Sequence, residues 1–204
     1  MNKNDFIKSL YQHINFRLTQ SKTKITDLVL EELISFALDD SNNEHVYESG
    51  SHGAGTDIKS ILGDFSVKSG QYKKDGTINI SSFRLSRFFL KGKNDFDGMI
   101  HYIDNDGKNF DFYAVLCRHE DDKIIKYFFY ILPSDIFKAT EMDWKETKSG
   151  WITSNENVEL KIQKSMSYQL WINLKEDFIK EYLEFTIETD KSQLACSRFQ
   201  SKLD

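Results

Sequence analysis

Residues 48–70, ESGSHGAGTDIKSILGDFSVKSG, constrain the fold more than any other stretch of the chain. The stretch is rich in glycine, and two glycines let the backbone turn sharply just before Asp57, because glycine reaches positive φ without a side-chain clash. After a second turn at Gly63, residues 64–68 alternate polar and apolar side chains, which is typical of a strand with one polar face. We therefore predict a β-hairpin whose first strand ends at Asp57 and Ile58 and whose second strand contains residues 64–68.

The polar face of the predicted second strand carries Asp64, Ser66 and Lys68, and Asp57 lies across the turn. Hard cations such as Mg²⁺ bind oxygen ligands, usually one or two carboxylates together with substrate phosphate and water. An ion held there would lower the pKa of its water and stabilise charge on a phosphoryl oxygen. A lysine beside the ion could orient or deprotonate the attacking water. The pattern indicates phosphodiester hydrolysis, although a solvated structural hairpin has the same composition.

The same residues resemble the active-site motif of the PD-(D/E)xK nuclease superfamily, which includes many type II restriction endonucleases. In that motif a glycine-rich turn precedes a metal-binding Asp, and an acid-x-Lys tripeptide lies on the next strand. Asp57 matches the metal-binding Asp and Lys68 matches the catalytic Lys. Two positions depart from the pattern, because Thr56 replaces the Pro of the motif name and Ser66 replaces the second acid.

The resemblance implies a Mg²⁺-dependent endodeoxyribonuclease of the type II restriction class, which acts on double-stranded DNA as a homodimer. Asp57 would bind the metal, with either Asp64 or Glu48 supplying the missing second carboxylate. Lys68 would position and activate the water, and Ser66 would hydrogen-bond a metal-bound water or the scissile phosphate. Two alternatives stay open: a repair or junction nuclease that reads DNA shape, and a non-catalytic binding module with a structural hairpin.

The charge distribution is consistent with a DNA-binding region next to the hairpin. The chain has a net charge of −5, yet residues 59–93 contain eight lysines and arginines against two aspartates. Such a basic segment could follow phosphates, while lysines at exposed strand edges would give the same pattern. The candidate DNA-binding residues are Lys59, Ser69, Lys73, Ser81, Ser82, Arg84 and Arg87.

Composition and length predict one domain over residues 1–204. A content of 39% hydrophobic and 14% aromatic residues is enough for a hydrophobic core. No apolar run approaches a membrane span and no signal-peptide pattern is present, so we expect a cytoplasmic protein. Cys117 and Cys196 have no disulfide or metal-site spacing, and no nucleotide-binding fingerprint occurs.

Periodicity predicts an α+β (mixed α/β) fold, with a central mixed β-sheet flanked by helices, and the resemblance implies a restriction-endonuclease-like core. We expect N-terminal helices within residues 1–45, the catalytic core sheet in 46–139, and further strands and a helix in 140–204. The predicted helices are 5–19, 26–38, 135–139 and 175–185, with Arg84 and Arg87 on one face of a further helix. The predicted strands beyond the hairpin are 77–80, 99–103, 110–118, 124–132 and 158–162, and Cys117 is expected in the core.

Overall fold

A computed structural model describes residues 3–21, 23–47, 56–92 and 95–191. The α-helices within these ranges are α1 (Lys3–Gln20), α2 (Asp27–Asp40), α3 (Phe96–Asp104) and α4 (Glu176–Ile179). The strands are β1 (His45–Tyr47), β2 (Ile58–Ser60), β3 (Phe65–Tyr72), β4 (Thr77–Arg84), β5 (Phe112–Glu120), β6 (Ile124–Pro133), β7 (Lys145–Thr147), β8 (Gly150–Ser154), β9 (Val158–Gln163), β10 (Gln169–Lys175) and β11 (Leu183–Asp190). The fold is α+β, as predicted.

All of these strands belong to one mixed sheet. Its order is β11-β6-β5-β3-β4-β10-β9-β8-β7, and β1 and β2 form a side branch that joins the sheet at β3. β3 and β5 pair in parallel, whereas the other recorded strand pairs are antiparallel. The predicted hairpin is present, with Ile58 opposite Phe65 and Gly63 at a positive φ of 117° in the turn. Its first strand begins just after Asp57, rather than ending there.

The sheet separates two hydrophobic cores. On one face, α1 and α2 pack over β3, β5 and β6, and Leu10, Ile34, Val67 and Phe129 are buried between them. On the opposite face the core extends over β6, β5, β4, β10, β9 and β8 and includes α3 and the segment that follows β6. Successive residues of a strand point to opposite faces, so the buried run 113–117 of β5 supplies both cores. Cys117 is in the core, as predicted.

The two N-terminal helices are confirmed and extend slightly beyond the predicted ranges. In α1 the buried apolar residues are Phe6, Leu10, Ile14 and Leu18, spaced by four, so they form one stripe facing the sheet. The loop between the helices contains Ile25, which is also buried. Apolar spacing alone is enough to predict elements of this length.

The predicted strand 99–103 is wrong, because these residues belong to α3. Asp95 caps this helix by accepting a hydrogen bond from the Gly98 N–H at 2.9 Å. Met99, Ile100 and Ile103 share one helical face and are buried against the core. An apolar run of this length satisfies strand and helix patterns equally, and the cap decides between them.

Three predicted helices are also wrong in whole or in part. Residues 81–84 continue β4, because β10 pairs with this strand as far as Arg84, and a 3-10 helix follows at Ser86–Gly92. The helix expected at 175–185 is reduced to α4 and a short 3-10 segment, after which the chain becomes β11 along the edge of β6. Residues 135–139 form a turn instead of a helix, and a 3-10 segment begins only at Ala139.

Candidate active site

The edge of β3 is interrupted at residues 66–69. On this edge β2 pairs with β3 at Phe65, and β4 begins to pair only at Gly70. On its other edge β3 pairs with β5 along its whole central part. We call residues 66–69 and the opening beside them the β3 gap. The backbone N–H groups of Val67 and Ser69 point into this gap, and carboxylate side chains accept both of them.

Asp57 lies at one side of the β3 gap and is fixed by the backbone. Its own N–H donates to the Phe65 carbonyl at 2.8 Å, and the Val67 N–H donates to its Oδ2 at 2.6 Å. The carboxylate therefore takes the place of a neighbouring strand. A hydrogen bond from a backbone N–H to a carboxylate is charge-assisted, which makes this anchor stronger than an ordinary ladder bond.

Lys68 is held against the same carboxylate. Its Nζ donates to Asp57 Oδ2 at 3.2 Å and to the Val67 carbonyl oxygen at 2.9 Å. The Lys68 side chain is 15% exposed and that of Asp57 is 25% exposed, so the ion pair is largely shielded yet reaches solvent. The structure thus brings together the two residues that match the nuclease motif.

Ser66 joins this cluster in a different role from the predicted one. Its side chain is completely buried, and its Oγ donates to Asp57 Oδ2 at 3.4 Å. A hydroxyl without solvent access has no path to a scissile phosphate or to a metal-bound water. We therefore correct its role from direct catalysis to supporting the position of Asp57.

Asp27 is the site residue that sequence reasoning missed. It is the first residue of α2, and its Oδ1 accepts a hydrogen bond from the Ser69 N–H across the β3 gap. Val67 and Ser69 are two positions apart on one strand, so their N–H groups lie about 7 Å apart and bring both carboxylates to one opening. The sequence places Asp27 at a helix N-terminus, where a carboxylate is common, and gives no sign of its partner 42 positions later.

Of the two proposed replacements for the second acid, Asp64 lies within the described residues and Glu48 does not. Asp64 lines a cavity with Asp39, Glu44 and His45, beside the β1–β2 branch, and its N–H donates to Asp111 Oδ2 at 2.8 Å. The role of Asp64 as a metal ligand stays a prediction. Glu48 and the glycines before Asp57 lie outside those ranges.

The carboxylates at the β3 gap fit a Mg²⁺ ion that takes one or two ligands from the protein and the others from substrate phosphate and water. No group of three or more His, Cys, Asp or Glu side chains that could hold an ion occurs in the part of the chain that the structure describes. Asp57 and Asp27 nevertheless bring two carboxylates to one opening, with a lysine beside them. Mg²⁺ often binds through only one or two protein carboxylates, and phosphates and waters complete its shell.

Three of the candidate DNA-binding residues lie on one face of the sheet. This is the face that α1 and α2 cover farther along the sheet, and it carries Ser69, Lys73 and Ser81. Lys73 Nζ donates to Asn173 Oδ1 at 3.1 Å. Lys59 is exposed on β2, and Arg84 is exposed at the end of β4. DNA contacts by these five residues stay predictions.

The other two candidates lie elsewhere. The hydroxyl oxygen of Ser82 is buried, so we remove Ser82 from the DNA-binding set. Arg87 extends from the 3-10 helix after β4, and its guanidinium carbon lies 3.7 Å from the ring centre of Tyr102, on α3. This cation–π contact occupies one side of the guanidinium, and Arg84 and Arg87 do not share a helical face.

The chain matches no protein-family model, no curated protein and no solved structure. None of the helices within the described ranges combines the length and the apolar character needed to cross a membrane.

Proposed function

We propose that this protein is a Mg²⁺-dependent endodeoxyribonuclease of the restriction-enzyme type. The observation that carries the proposal is the ion pair of Lys68 with Asp57 at the β3 gap, held by a backbone N–H and partly open to solvent. Lys68 lies on β3 and Asp57 immediately precedes β2, so both belong to one hairpin, although Asp57 comes before the first strand and does not close it as in the motif. The geometry supports hydrolysis of a phosphodiester better than any other chemistry at this position.

In the proposed reaction Asp57 would hold the metal ion, and Asp27, which caps the same strand edge, is a candidate second carboxylate. When bound, the ion supplies positive charge beside the phosphate and a water of lowered pKa. Lys68 orients the attacking water and stabilises negative charge that develops on the phosphoryl oxygens. Ser66 and the Val67 N–H keep Asp57 in place. A homodimer would present two such sites to a two-fold symmetric DNA sequence.

The test is digestion of a fully sequenced supercoiled plasmid with Mg²⁺ and, in parallel, with EDTA. We expect discrete linear fragments only with Mg²⁺, and no cleavage by the variant Asp57→Asn, which keeps the shape of the side chain but loses its charge. Cleavage of branched substrates alone would favour a junction nuclease. Cleavage by Asp57→Asn at the wild-type rate would remove Asp57 from the reaction.

One observation favours a non-catalytic alternative. Asp57 and Asp27 both accept backbone N–H groups of β3, which is what purely structural caps of an interrupted strand edge would do. Under this alternative the protein binds DNA or another ligand without cutting, and Lys68 merely neutralises a half-buried carboxylate. Binding of duplex DNA without any Mg²⁺-dependent cleavage would select it.

A further inference from the structure

Half of one sheet face is polar. The face that α1 and α2 cover at β3 and β5 continues across β4, β10 and β9, where its side chains change from apolar to polar. The residues on this face include Asn79, Ser81, Trp171, Asn173, Glu159 and Lys161. Their neighbours along the same strands, such as Ile80, Ile172 and Leu160, point to the opposite face and are buried. We call the six residues, together with Lys73, the polar face.

A hydrogen-bond network joins side chains of the polar face on β4, β10 and β9 to Lys73, which follows the end of β3. Asn173 Oδ1 accepts from Lys73 Nζ at 3.1 Å and from Asn79 Nδ2 at 2.7 Å. Asn173 Nδ2 donates to Glu159 Oε1 at 2.9 Å, and Lys161 Nζ lies 2.7 Å from the same oxygen. The lysines are thus held in place before any ligand binds, which reduces the entropy cost of binding.

The polar face starts at the β3 gap. Gly70 is opposite Ile80, so Ser69 is level with Ser81, and the register continues from Ser81 to Trp171 and Lys161. Lys161 is therefore three strand spacings from the gap, or about 14 Å. This distance is comparable with the major-groove width of B-DNA, about 12 Å. A duplex with one backbone at the gap would bring its other backbone close to Lys161.

We infer that the polar face is the docking surface for the double-stranded DNA on which the proposed nuclease acts. Lys73 and Lys161 contact DNA phosphates, and the half-buried amide of Asn79 donates to the DNA backbone or to a base edge. This inference rests on the proposed function for the identity of the substrate. A protein partner is disfavoured, because the centres of protein interfaces are depleted in charged residues, whereas here lysines, amides and a carboxylate fill the face.

The depression on this face is lined by Lys73, Lys161 and Lys175 and also by the acids Asp75 and Glu156. Among the seven named side chains the single carboxylate is Glu159, and it is paired. Lys161 and the Asn173 amide both contact its Oε1, so its charge does not face an approaching phosphate alone. The Lys161 ammonium has three donors, so it can keep its pair with Glu159 and still donate to a phosphate when DNA binds.

The test compares two double variants with equal changes in charge. The first is Lys73→Glu with Lys161→Glu on the polar face. The second is Lys126→Glu with Lys138→Glu, which removes two lysines that also form surface ion pairs, with Glu188 and Glu141. Binding to a fluorescent duplex is measured by anisotropy in EDTA, so that no cleavage occurs, over a series of salt concentrations. Circular dichroism melts check that each protein is folded.

We expect the polar-face variant to lose at least about tenfold in affinity and to reduce the slope of log K against log salt by about 2, since two phosphate contacts are removed. The affinity and the salt slope of the control variant should stay close to those of wild type. If the first variant does not fold, the double variant Lys73→Gln with Lys161→Gln replaces it, and we again expect a lower affinity and a smaller salt slope. Equal losses of affinity in both double variants, or no loss in either, would overturn the inference. Absence of DNA binding by the wild-type protein would also overturn it.

These measurements distinguish failure of the docking surface from failure of the nuclease proposal. A protein that cuts DNA while its polar-face variant binds normally would retain the proposed function and overturn the docking surface. A protein that binds through the polar face but never cuts would retain the surface and overturn the nuclease.

Discussion

Lys68 Nζ lies 3.2 Å from Asp57 Oδ2, on the same oxygen that accepts the Val67 N–H at 2.6 Å. The three groups form a compact unit, because Val67 and Lys68 are adjacent in sequence and Asp57 precedes the neighbouring strand. A cation and a backbone donor converging on one oxygen keep this carboxylate oriented toward the β3 gap. The proposed chemistry depends on this arrangement.

Replacing Lys68 by alanine should abolish most of the cleavage without unfolding the protein. The lysine orients the water and offsets transition-state charge, and such a group contributes about 10²–10⁴-fold in rate. Asp57 keeps its backbone donor in this variant, so the gap should stay intact. We would measure plasmid cleavage with Mg²⁺ and duplex affinity in EDTA. A rate within a few-fold of wild type would contradict the role of Lys68.

Replacing Ser66 by alanine should leave most of the cleavage. The Ser66 hydroxyl is buried and makes a long hydrogen bond of 3.4 Å to a carboxylate that two other donors already hold. We expect a decrease of less than about tenfold, since a weak bond of this kind contributes roughly 1 kcal/mol. The same digest as for Lys68→Ala gives the comparison. A loss as large as that of Lys68→Ala would return Ser66 to the catalytic residues.

Asp27→Ala should destabilise the protein and weaken its response to Mg²⁺. The change leaves the Ser69 N–H without its acceptor and removes a negative charge from the N-terminus of α2, with an expected total of about 1–3 kcal/mol. If Asp27 also helps to hold the ion, half-maximal cleavage should require more Mg²⁺. Urea unfolding and a Mg²⁺ titration of the cleavage rate measure the two effects.

The matched control for Asp27 is Glu32→Ala, an exposed acid on the same helix. It should change the free energy of unfolding by less than about 0.5 kcal/mol. Equal stability of Asp27→Ala and Glu32→Ala would mean that the cap contributes nothing. An unchanged Mg²⁺ requirement in a destabilised Asp27→Ala protein would restrict Asp27 to a structural role.

What the sequence predicts well at this site is local. The turn at Gly63 and the polar–apolar alternation of residues 64–68 lie within one hairpin, so the β2–β3 unit follows from nearest neighbours. Asp27 could not be found in this way, because its contact with Ser69 depends on how α2 packs across the sheet. The predicted helix 175–185 failed for a related reason. Its apolar spacing suits a helix, but the edge of β6 offers strand pairing, which no local pattern reveals.

The buried ion pair of Asp104 and Lys108 predicts a specific pH dependence of stability. Their side chains are 9% and 5% exposed and their charged atoms lie 3.4 Å apart. Burial alone would raise the pKa of Asp104. Hydrogen bonds from the Thr140 N–H and hydroxyl and from the Ala139 N–H, together with the charge of Lys108, outweigh burial and lower this pKa below its usual value.

Because the folded-state pKa of Asp104 is lowered, its stabilising contribution is present above its unfolded pKa and is lost as pH falls through the folded pKa. Asp104→Asn should therefore be less stable than wild type by about 3 kcal/mol at pH 7, since the buried Lys108 loses its carboxylate partner and keeps only the Phe137 carbonyl and ring. The difference should begin to shrink below about pH 4, where the unfolded chain starts to bind the proton, and should be lost as pH falls through the lowered folded-state pKa. Urea unfolding at several pH values measures it. The exposed residue Asp122, changed to Asn, should show no such trend.

Cys117 should be unreactive while the protein is folded. Its side chain is completely buried in the core between the sheet and α3, and burial raises the pKa of its thiol well above the usual range. The thiolate is the reactive form, so both access and ionisation are suppressed. Alkylation at pH 8 followed by peptide mapping should modify Cys117 only after denaturant is added. Modification of the native protein at a rate near that of a free thiol would show that β5 opens in the folded state. The parallel pairing of β3 with β5, which shapes the β3 gap, would then break transiently in the native protein.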